Sequence, residues 1–174
     1  MSENSTPNSL NEWLALIARP TPVWAGGSVS ALVCAQGWAL VEMVAGLAQK
    51  HNPEADLRSQ IALAQQGRSE LIRLSAADAM AFQRVLANPG PDTFLPATEV
   101  PLAIWQWAHE GLGVLEHPSI SGYSPAHWDW DLARQLFLTV SESLRSLVRA
   151  NLPQLTESDQ TLINDRVRRI GEEF

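Results

Sequence analysis

The segment from Ser28 to about Lys50 constrains the fold most, because it is apolar on nearly every side of the helix that it predicts. Such a helix has to be covered by other elements. Its length of roughly 20 residues is also that of a membrane span. Glu42 and Gln36 near its middle would be costly in lipid, however, and every later segment has an amphipathic pattern. We therefore predict a buried core helix and no membrane partner.

The rest of the chain also has helical periodicity, and no strand pattern competes with it. Ser9 and Glu12 have the spacing of a capping box, and Asn52-Pro53 is typical of a helix start. Pro20 and Pro22 predict a loop up to Gly27. The fold class expected is all-α, a bundle of about six helices without a sheet. Further helices are predicted over residues 9–18, from about 52 to 87, from about 96 to 115, from 124 to about 150 and from 156 to 173.

The composition predicts one helical domain over residues 1–174, with residues 1–8 flexible. The net charge is −7 and there is no basic stripe, which argues against a nucleic-acid partner. The single cysteine, Cys34, lies in an apolar run, and Met1–Ser5 carries an acid without Lys or Arg. These features favour a cytoplasmic protein. A chain this small cannot easily cover so apolar a helix alone, so we expect a homodimer.

Asp78 and Asp129 are the predicted acid/base residues, because each falls on the inward face of a long helix. Burial there would raise the pKa of a carboxyl group. The structural alternative is that each aspartate caps a neighbouring helix or pairs with an arginine. The arginines within reach by helical position are Arg68, Arg73 and Arg134.

Gly26-Gly27-Ser28 precedes the apolar helix and would present unobstructed backbone N–H groups at its positive end. This arrangement suits a carboxylate, a phosphate or a developing oxyanion; the alternative is an ordinary loop with Ser28 as the N-cap. Lys50 is the only lysine and could interact simply with the dipole at the end of that helix. The four histidines show no metal-ligand spacing, so we predict no metal site.

Four fragments follow one another along the chain: Pro20-Thr21-Pro22, Gly26-Gly27-Ser28-Val29, Ala39-Leu40-Val41-Glu42-Met43-Val44-Ala45 and Asp78-Ala79-Met80-Ala81-Phe82. Together they resemble the C-terminal family of formiminotransferase-cyclodeaminase, which includes stand-alone methenyltetrahydrofolate cyclohydrolases. The likeness continues through Ala97–Leu102, Asp129–Ala133 and Asn151-Leu152, so that it covers about residues 9–153.

This resemblance implies a cyclodeaminase-like helical dimer that acts on the one-carbon bridge between N5 and N10 of a tetrahydrofolate derivative. It implies neither a metal nor a separate cofactor. Asp78 and Asp129 match the family's aspartates and are the expected catalytic residues. The expected substrate-binding residues are Trp24, Gly26, Gly27, Ser28, Lys50 and Phe82.

The sequence departs from the family pattern at Trp24-Ala25, where the family has proline and glycine, and at Trp128, where it has serine. Trp24 could narrow the entrance of the site or stack on a pterin ring. The leading function is hydrolysis of methenyltetrahydrofolate to 10-formyltetrahydrofolate. The alternatives are a non-catalytic helical dimer that binds another ligand or protein, and a formiminotetrahydrofolate cyclodeaminase.

Overall fold

A computed structural model describes residues 9–170, which form seven α-helices and, within that range, no strand. The all-α prediction is therefore confirmed. The segment predicted to be flexible, residues 1–8, and the predicted end of the last helix at residue 173 lie outside the described residues. The helices are α1 (Leu10–Ile17), α2 (Gly26–His51), α3 (Arg58–Ala87), α4 (Pro91–Leu115), α5 (Pro118–Ser121), α6 (His127–Asn151) and α7 (Glu157–Arg169).

Helix α2 is the central element, and it packs against α3, α4 and α6. Trp38 in its middle is fully buried, and its indole N–H donates a hydrogen bond to the carbonyl oxygen of Trp107, 3.2 Å away. The ring of Phe137 from α6 lies 5.6 Å from that of Trp38. By length and composition α2 could span a membrane, with a mean hydropathy of 1.6, but half of its most apolar stretch is buried inside the fold. The core position predicted for this helix is confirmed.

The one acidic side chain in the middle of α2 has partners on α3. Glu42 accepts a hydrogen bond from Nε of Arg68 at 3.2 Å and another from the amide of Gln65 at 3.0 Å. The glutamate is only partly exposed, so these two donors compensate for much of the hydration that it loses. Arg68 therefore forms an ion pair with Glu42.

Helix α3 begins later than predicted. Asn52 and Pro53 lead into a single 3₁₀ turn over Pro53–Ala55, and Asp56 then adopts a left-handed conformation with φ of 41°. The side chain of Gln49 ties this turn together, since it donates to the carbonyl of Pro53 and accepts from the backbone N–H of Leu57. The helix therefore starts only at Arg58. Gln49 of α2 takes up the carbonyl of Pro53 and the N–H of Leu57, which would bond to each other in a continuous helix.

Helix α4 begins earlier than predicted, at Pro91 rather than near residue 96. The backbone N–H of Gly90 donates to the hydroxyl of Thr93 at 3.1 Å, and Pro91 occupies the first helical position, where proline is favoured. Pro96 and Pro101 both lie inside the helix. The helix therefore starts before both prolines, and the turn between α3 and α4 is shorter than expected.

The remaining boundaries differ little from the prediction. The expected loop over residues 117–123 contains the single-turn helix α5, which raises the number of helices from about six to seven. A 3₁₀ turn at Ser124–Ala126 precedes α6, and another at Leu152–Gln154 follows it. Each turn has a proline as its second residue, Pro125 in the first and Pro153 in the second.

The packing of Phe137 provides a matched test of this core. A Cβ atom added at Gly111 would lie 2.5 Å from the Phe137 ring, whereas one added at Gly113 would meet open space. We expect Gly111→Ala to lower the free energy of unfolding by about 1–3 kcal/mol through overpacking. Gly113→Ala should raise it by up to about 1 kcal/mol, because alanine is the better helix former. Urea unfolding followed by circular dichroism measures both; equal effects of the two substitutions would contradict this account of the core.

Candidate active site

The first turn of α2 is joined to α3 by two buried hydrogen bonds. The hydroxyl of Ser28 donates to Oδ2 of Asp78 at 2.9 Å, and the hydroxyl of Ser75 donates to the backbone carbonyl of Ser28 at 2.8 Å. Ser75 and Asp78 are one turn apart on α3, so both face the same point of α2. All three side chains are buried.

Gly27 makes this close approach possible. A Cβ atom at this position would overlap the carboxyl group of Asp78, whereas one at the neighbouring Gly26 would touch nothing. The two glycines therefore have different roles. Gly27 lets the Asp78 carboxyl group reach the backbone of α2, and Gly26 leaves the cavity side of the same turn open.

The loop predicted up to Gly27 ends earlier in the structure, because Gly26, Gly27 and Ser28 form the first turn of α2 itself. The N-cap residue is Ala25, which has no capping side chain, and the Ser28 hydroxyl is directed to Asp78. The carboxylate that caps this turn thus comes from α3, fifty residues along the chain. A cap from so distant a residue leaves no local signal in the sequence.

The helix-capping alternative for Asp78 is therefore realised, and the arginine alternative is not. Arg68 pairs with Glu42, and Arg73 pairs with Glu70 on its own helix. Capping still leaves Asp78 able to act as an acid or a base. The cap holds the carboxyl group at the positive end of α2, with one edge facing a cavity.

Burial raises the pKa of Asp78 above its ordinary value. The hydroxyl and backbone N–H of Ser28 oppose that rise by stabilising the charged form, but the loss of solvent dominates. A carboxyl group whose pKa is raised toward neutrality can both accept and return a proton. Asp78 therefore has the electrostatic environment of a general acid/base.

Asp78 opens onto a cavity of about 160 Å³ between α2, α3, α4 and α6. Its walls are mainly apolar, and Asp78 and Asn151 are the polar side chains that line it. The structure brings four of the predicted site residues together here, and Ser28 adjoins them through its hydrogen bond to Asp78. The lining consists of Val23, Ala25, Gly26, Gly27, Asp78, Phe82, Phe94, Ala97, Leu147 and Asn151.

Trp24 is placed outside this cavity. Its side chain is buried against Trp13 of α1, with ring centroids 4.6 Å apart in an edge-to-face arrangement, and against Ala79 of α3. Its neighbours Val23 and Ala25 line the cavity instead. In this chain the indole anchors the segment that leads into α2.

Lys50 and Asp129 lie at the opposite end of the bundle. Lys50 is exposed in the last turn of α2, about 35 Å along the helix from Gly27, given a rise of 1.5 Å per residue. Asp129 is partly exposed in the first turn of α6, about 27 Å along that helix from Leu147. Asp129 is therefore less buried than Asp78, although the sequence predicts an inward face for both. Within one chain, neither residue reaches the cavity.

Asn151 is the site residue that sequence reasoning missed, although its position belongs to one of the fragments that resemble the family. Its amide nitrogen donates to the carbonyl of Ala97 at 3.1 Å and so joins the end of α6 to α4. A signal for this contact was present in the sequence. Pro101 has no N–H to offer the carbonyl four residues before it, so some other donor had to serve Ala97.

The fold is that of a cyclodeaminase-like helical protein. The formiminotransferase-cyclodeaminase family model matches residues 9–90, which hold α1, α2, α3 and the Ser28–Asp78 contact. The solved structure of formiminotetrahydrofolate cyclodeaminase from Thermotoga maritima has the same fold, with a TM-score of 0.85 and 21% sequence identity. That match covers 94% of this chain and 88% of the other. A comparison with curated proteins gives no match.

Residues 9–90 thus match the formiminotransferase-cyclodeaminase family, in agreement with the resemblance that the sequence predicts. The family match includes Gly26, Gly27, Ser28 and Asp78. The cavity walls from α4 and α6 lie outside the matched residues and within the common fold.

The raised pKa of Asp78 has a measurable effect on stability. Because the folded protein holds this proton more tightly than the unfolded chain, stability is lost as the pH rises from about 4 through the folded pKa. Asp78→Asn removes the titration while nearly preserving shape. We expect the variant and the wild type to unfold at similar temperatures near pH 3.5, and the variant to be the more stable at pH 7. Thermal unfolding across this pH range tests the difference; a variant that becomes less stable than the wild type as the pH rises would show that the pKa is lowered instead.

Proposed function

We propose that this protein is a folate one-carbon enzyme, a methenyltetrahydrofolate cyclohydrolase that converts methenyltetrahydrofolate and water to 10-formyltetrahydrofolate. The observation that carries the proposal is the buried Asp78 carboxyl group, held by Ser28 at the N-terminus of α2 and open to an apolar cavity. The match of residues 9–90 to the family model supports the folate class of substrate. The helix N-terminus supports the hydrolytic reaction, because its N–H groups and dipole favour an oxygen that gains negative charge.

In the proposed mechanism, the one-carbon bridge of the substrate enters the cavity next to Asp78. The methenyl group is cationic, so the ionised carboxylate would attract it strongly in an apolar environment. Asp78 accepts a proton from water as the water oxygen bonds to the methenyl carbon. It then returns that proton to N5 as the bond between N5 and the carbon breaks. The remaining hydroxyl proton leaves to solvent as the carbon–oxygen double bond forms, which gives the formyl group on N10. The Ser28 hydroxyl holds the carboxylate in position throughout.

The proposal predicts a large loss of activity in Asp78→Asn. The asparagine cannot shuttle a proton, so we expect turnover to fall by about 100- to 10,000-fold, with tetrahydrofolate binding retained. Loss of methenyltetrahydrofolate absorbance measures the rate, and isothermal titration measures binding. Asp92→Asn, which changes an exposed carboxylate in the first turn of α4, is the control and should retain full activity.

Other outcomes of that assay would support the alternatives. Ammonia release from the formimino substrate, without hydrolysis of methenyltetrahydrofolate, would identify a cyclodeaminase. Absence of both turnover and tetrahydrofolate binding in the wild type would favour a non-catalytic relative. Normal turnover by Asp78→Asn would overturn the role assigned to Asp78 alone.

We also propose that the protein is a homodimer in which α2 packs antiparallel against its copy. One face of α2 is left uncovered in the single chain and includes Gln36, Ala39, Met43 and Leu47, with Met43 and Leu47 about 40% exposed. A two-fold axis near Ala39 would bury this face. Since Ser28 and Lys50 are each eleven residues from Ala39, Lys50 of the partner subunit would then lie opposite Ser28. This arrangement retains the predicted role of Lys50 in substrate binding and brings the end of the bundle that carries Asp129 toward the cavity.

Met43→Arg should separate the two subunits, because it places a charge in the middle of the buried face. Met80→Arg is the matched control, since Met80 is 56% exposed on α3 and lies off this face. Sedimentation equilibrium at micromolar concentration should give the mass of a dimer for the wild type and Met80→Arg, and of a monomer for Met43→Arg. A dimeric Met43→Arg variant would refute this packing.

A further inference from the structure

A missing hydrogen bond inside α4 fixes the orientation of a polar group in the cavity. In a regular helix the carbonyl of Ala97 would accept the N–H of residue 101, but residue 101 is proline. The side-chain nitrogen of Asn151 supplies the donor instead, at 3.1 Å. Both Ala97 and Asn151 line the cavity. The Asn151 side chain therefore both supplies the donor that α4 lacks and lines the cavity.

This repair determines which way the Asn151 amide points. If the amide were reversed, its oxygen would face the carbonyl oxygen of Ala97, and two acceptors would repel each other. The nitrogen must therefore face Ala97, which leaves Oδ1 available on the other side of the amide. Within residues 9–170, Oδ1 of Asn151 accepts no hydrogen bond from protein.

The surroundings of this oxygen suit a flat ring. Phe82, Phe94 and Leu147 provide apolar walls, and Asp78 is the only other polar side chain in the lining. An apolar cavity with few polar groups of fixed direction binds a ligand by area and selects it by hydrogen bonding. A ligand that offers an N–H donor to Oδ1 is favoured, and one that offers an acceptor there is disfavoured.

We propose that Asn151 is a specificity-determining residue that accepts a hydrogen bond from the N–H edge of a reduced pterin ring. This inference rests on the proposed folate function and extends it. Asp78 acts on the one-carbon unit, and Asn151 orients the ring. Pro101 takes part indirectly, because it creates the vacant carbonyl that holds the Asn151 amide in one orientation.

The structural and ligand-binding roles of Asn151 can be separated in a Pro101→Ala background. Alanine restores the N–H that Ala97 lacks, so the helix no longer depends on Asn151. Asn151→Leu alone should lower both the melting temperature and the affinity for tetrahydrofolate. In the double variant Pro101→Ala, Asn151→Leu, the melting temperature should return toward that of Pro101→Ala. Its affinity for tetrahydrofolate should stay about tenfold or more below that of Pro101→Ala.

Two further measurements complete the test. Asn151→Asp in the same background keeps an acceptor oxygen and should bind tetrahydrofolate within about threefold of Pro101→Ala, well above the leucine double variant. 6-Methyltetrahydropterin, which lacks the tail of folate, should lose the same factor of affinity as tetrahydrofolate, because both present the same ring.

The possible outcomes separate the role of Asn151 from the proposed folate function. Equal affinity of Pro101→Ala and its Asn151→Leu double variant would show that Asn151 only joins α6 to α4. A loss confined to tetrahydrofolate, with the tail-free pterin unaffected, would overturn ring recognition. Absence of wild-type binding to either compound, by isothermal titration, would overturn both the folate function and the role of Asn151.

Discussion

The carboxyl group of Asp78 lies directly over the backbone of Gly27, and this contact links the stability of the fold to the geometry of the site. Bringing a carboxylate out of water into a helix interface is unfavourable. Three features offset that cost: the hydroxyl of Ser28, the backbone N–H at the same residue, and the positive end of α2. Each requires α3 to approach the first turn of α2 more closely than a side chain at position 27 would allow. The buried acid and the helix packing therefore depend on each other.

The segment before α2 is positioned by a second, apolar contact. Trp24 is held between Trp13 and Ala79, so the residues on either side of it, Val23 and Ala25, turn toward the cavity. Large aromatic side chains bury much surface with little loss of conformational freedom, which makes them effective anchors for an irregular segment. Trp24, which departs from the family pattern, thus positions residues of the cavity wall without lining this cavity itself.

The two halves of the cavity have different origins in the sequence. Helices α2 and α3 provide Gly27, Ser28 and Asp78, and these lie within the residues that match the family. Helices α4 and α6 provide Phe94, Leu147 and Asn151, which lie outside the residues that match the family model. Proton transfer in the proposed mechanism depends on the first half, and selection of the ligand depends on the second. Relatives with the same fold can therefore keep the acid and change what they bind.

The sequence by itself determined the helical class, the central place of α2 and the inward position of Asp78, because periodicity and apolar content report burial directly. Only the tertiary structure decided that Gly26 to Ser28 are helical, that Asp78 caps them, and that Asn151 completes α4. Each of these depends on a donor and an acceptor that are distant along the chain, and hydrophobic patterns carry no record of such pairs. Lys50 and Asp129 show the same limit, since a helical pattern indicates which face a residue occupies and not which end of the bundle faces the site.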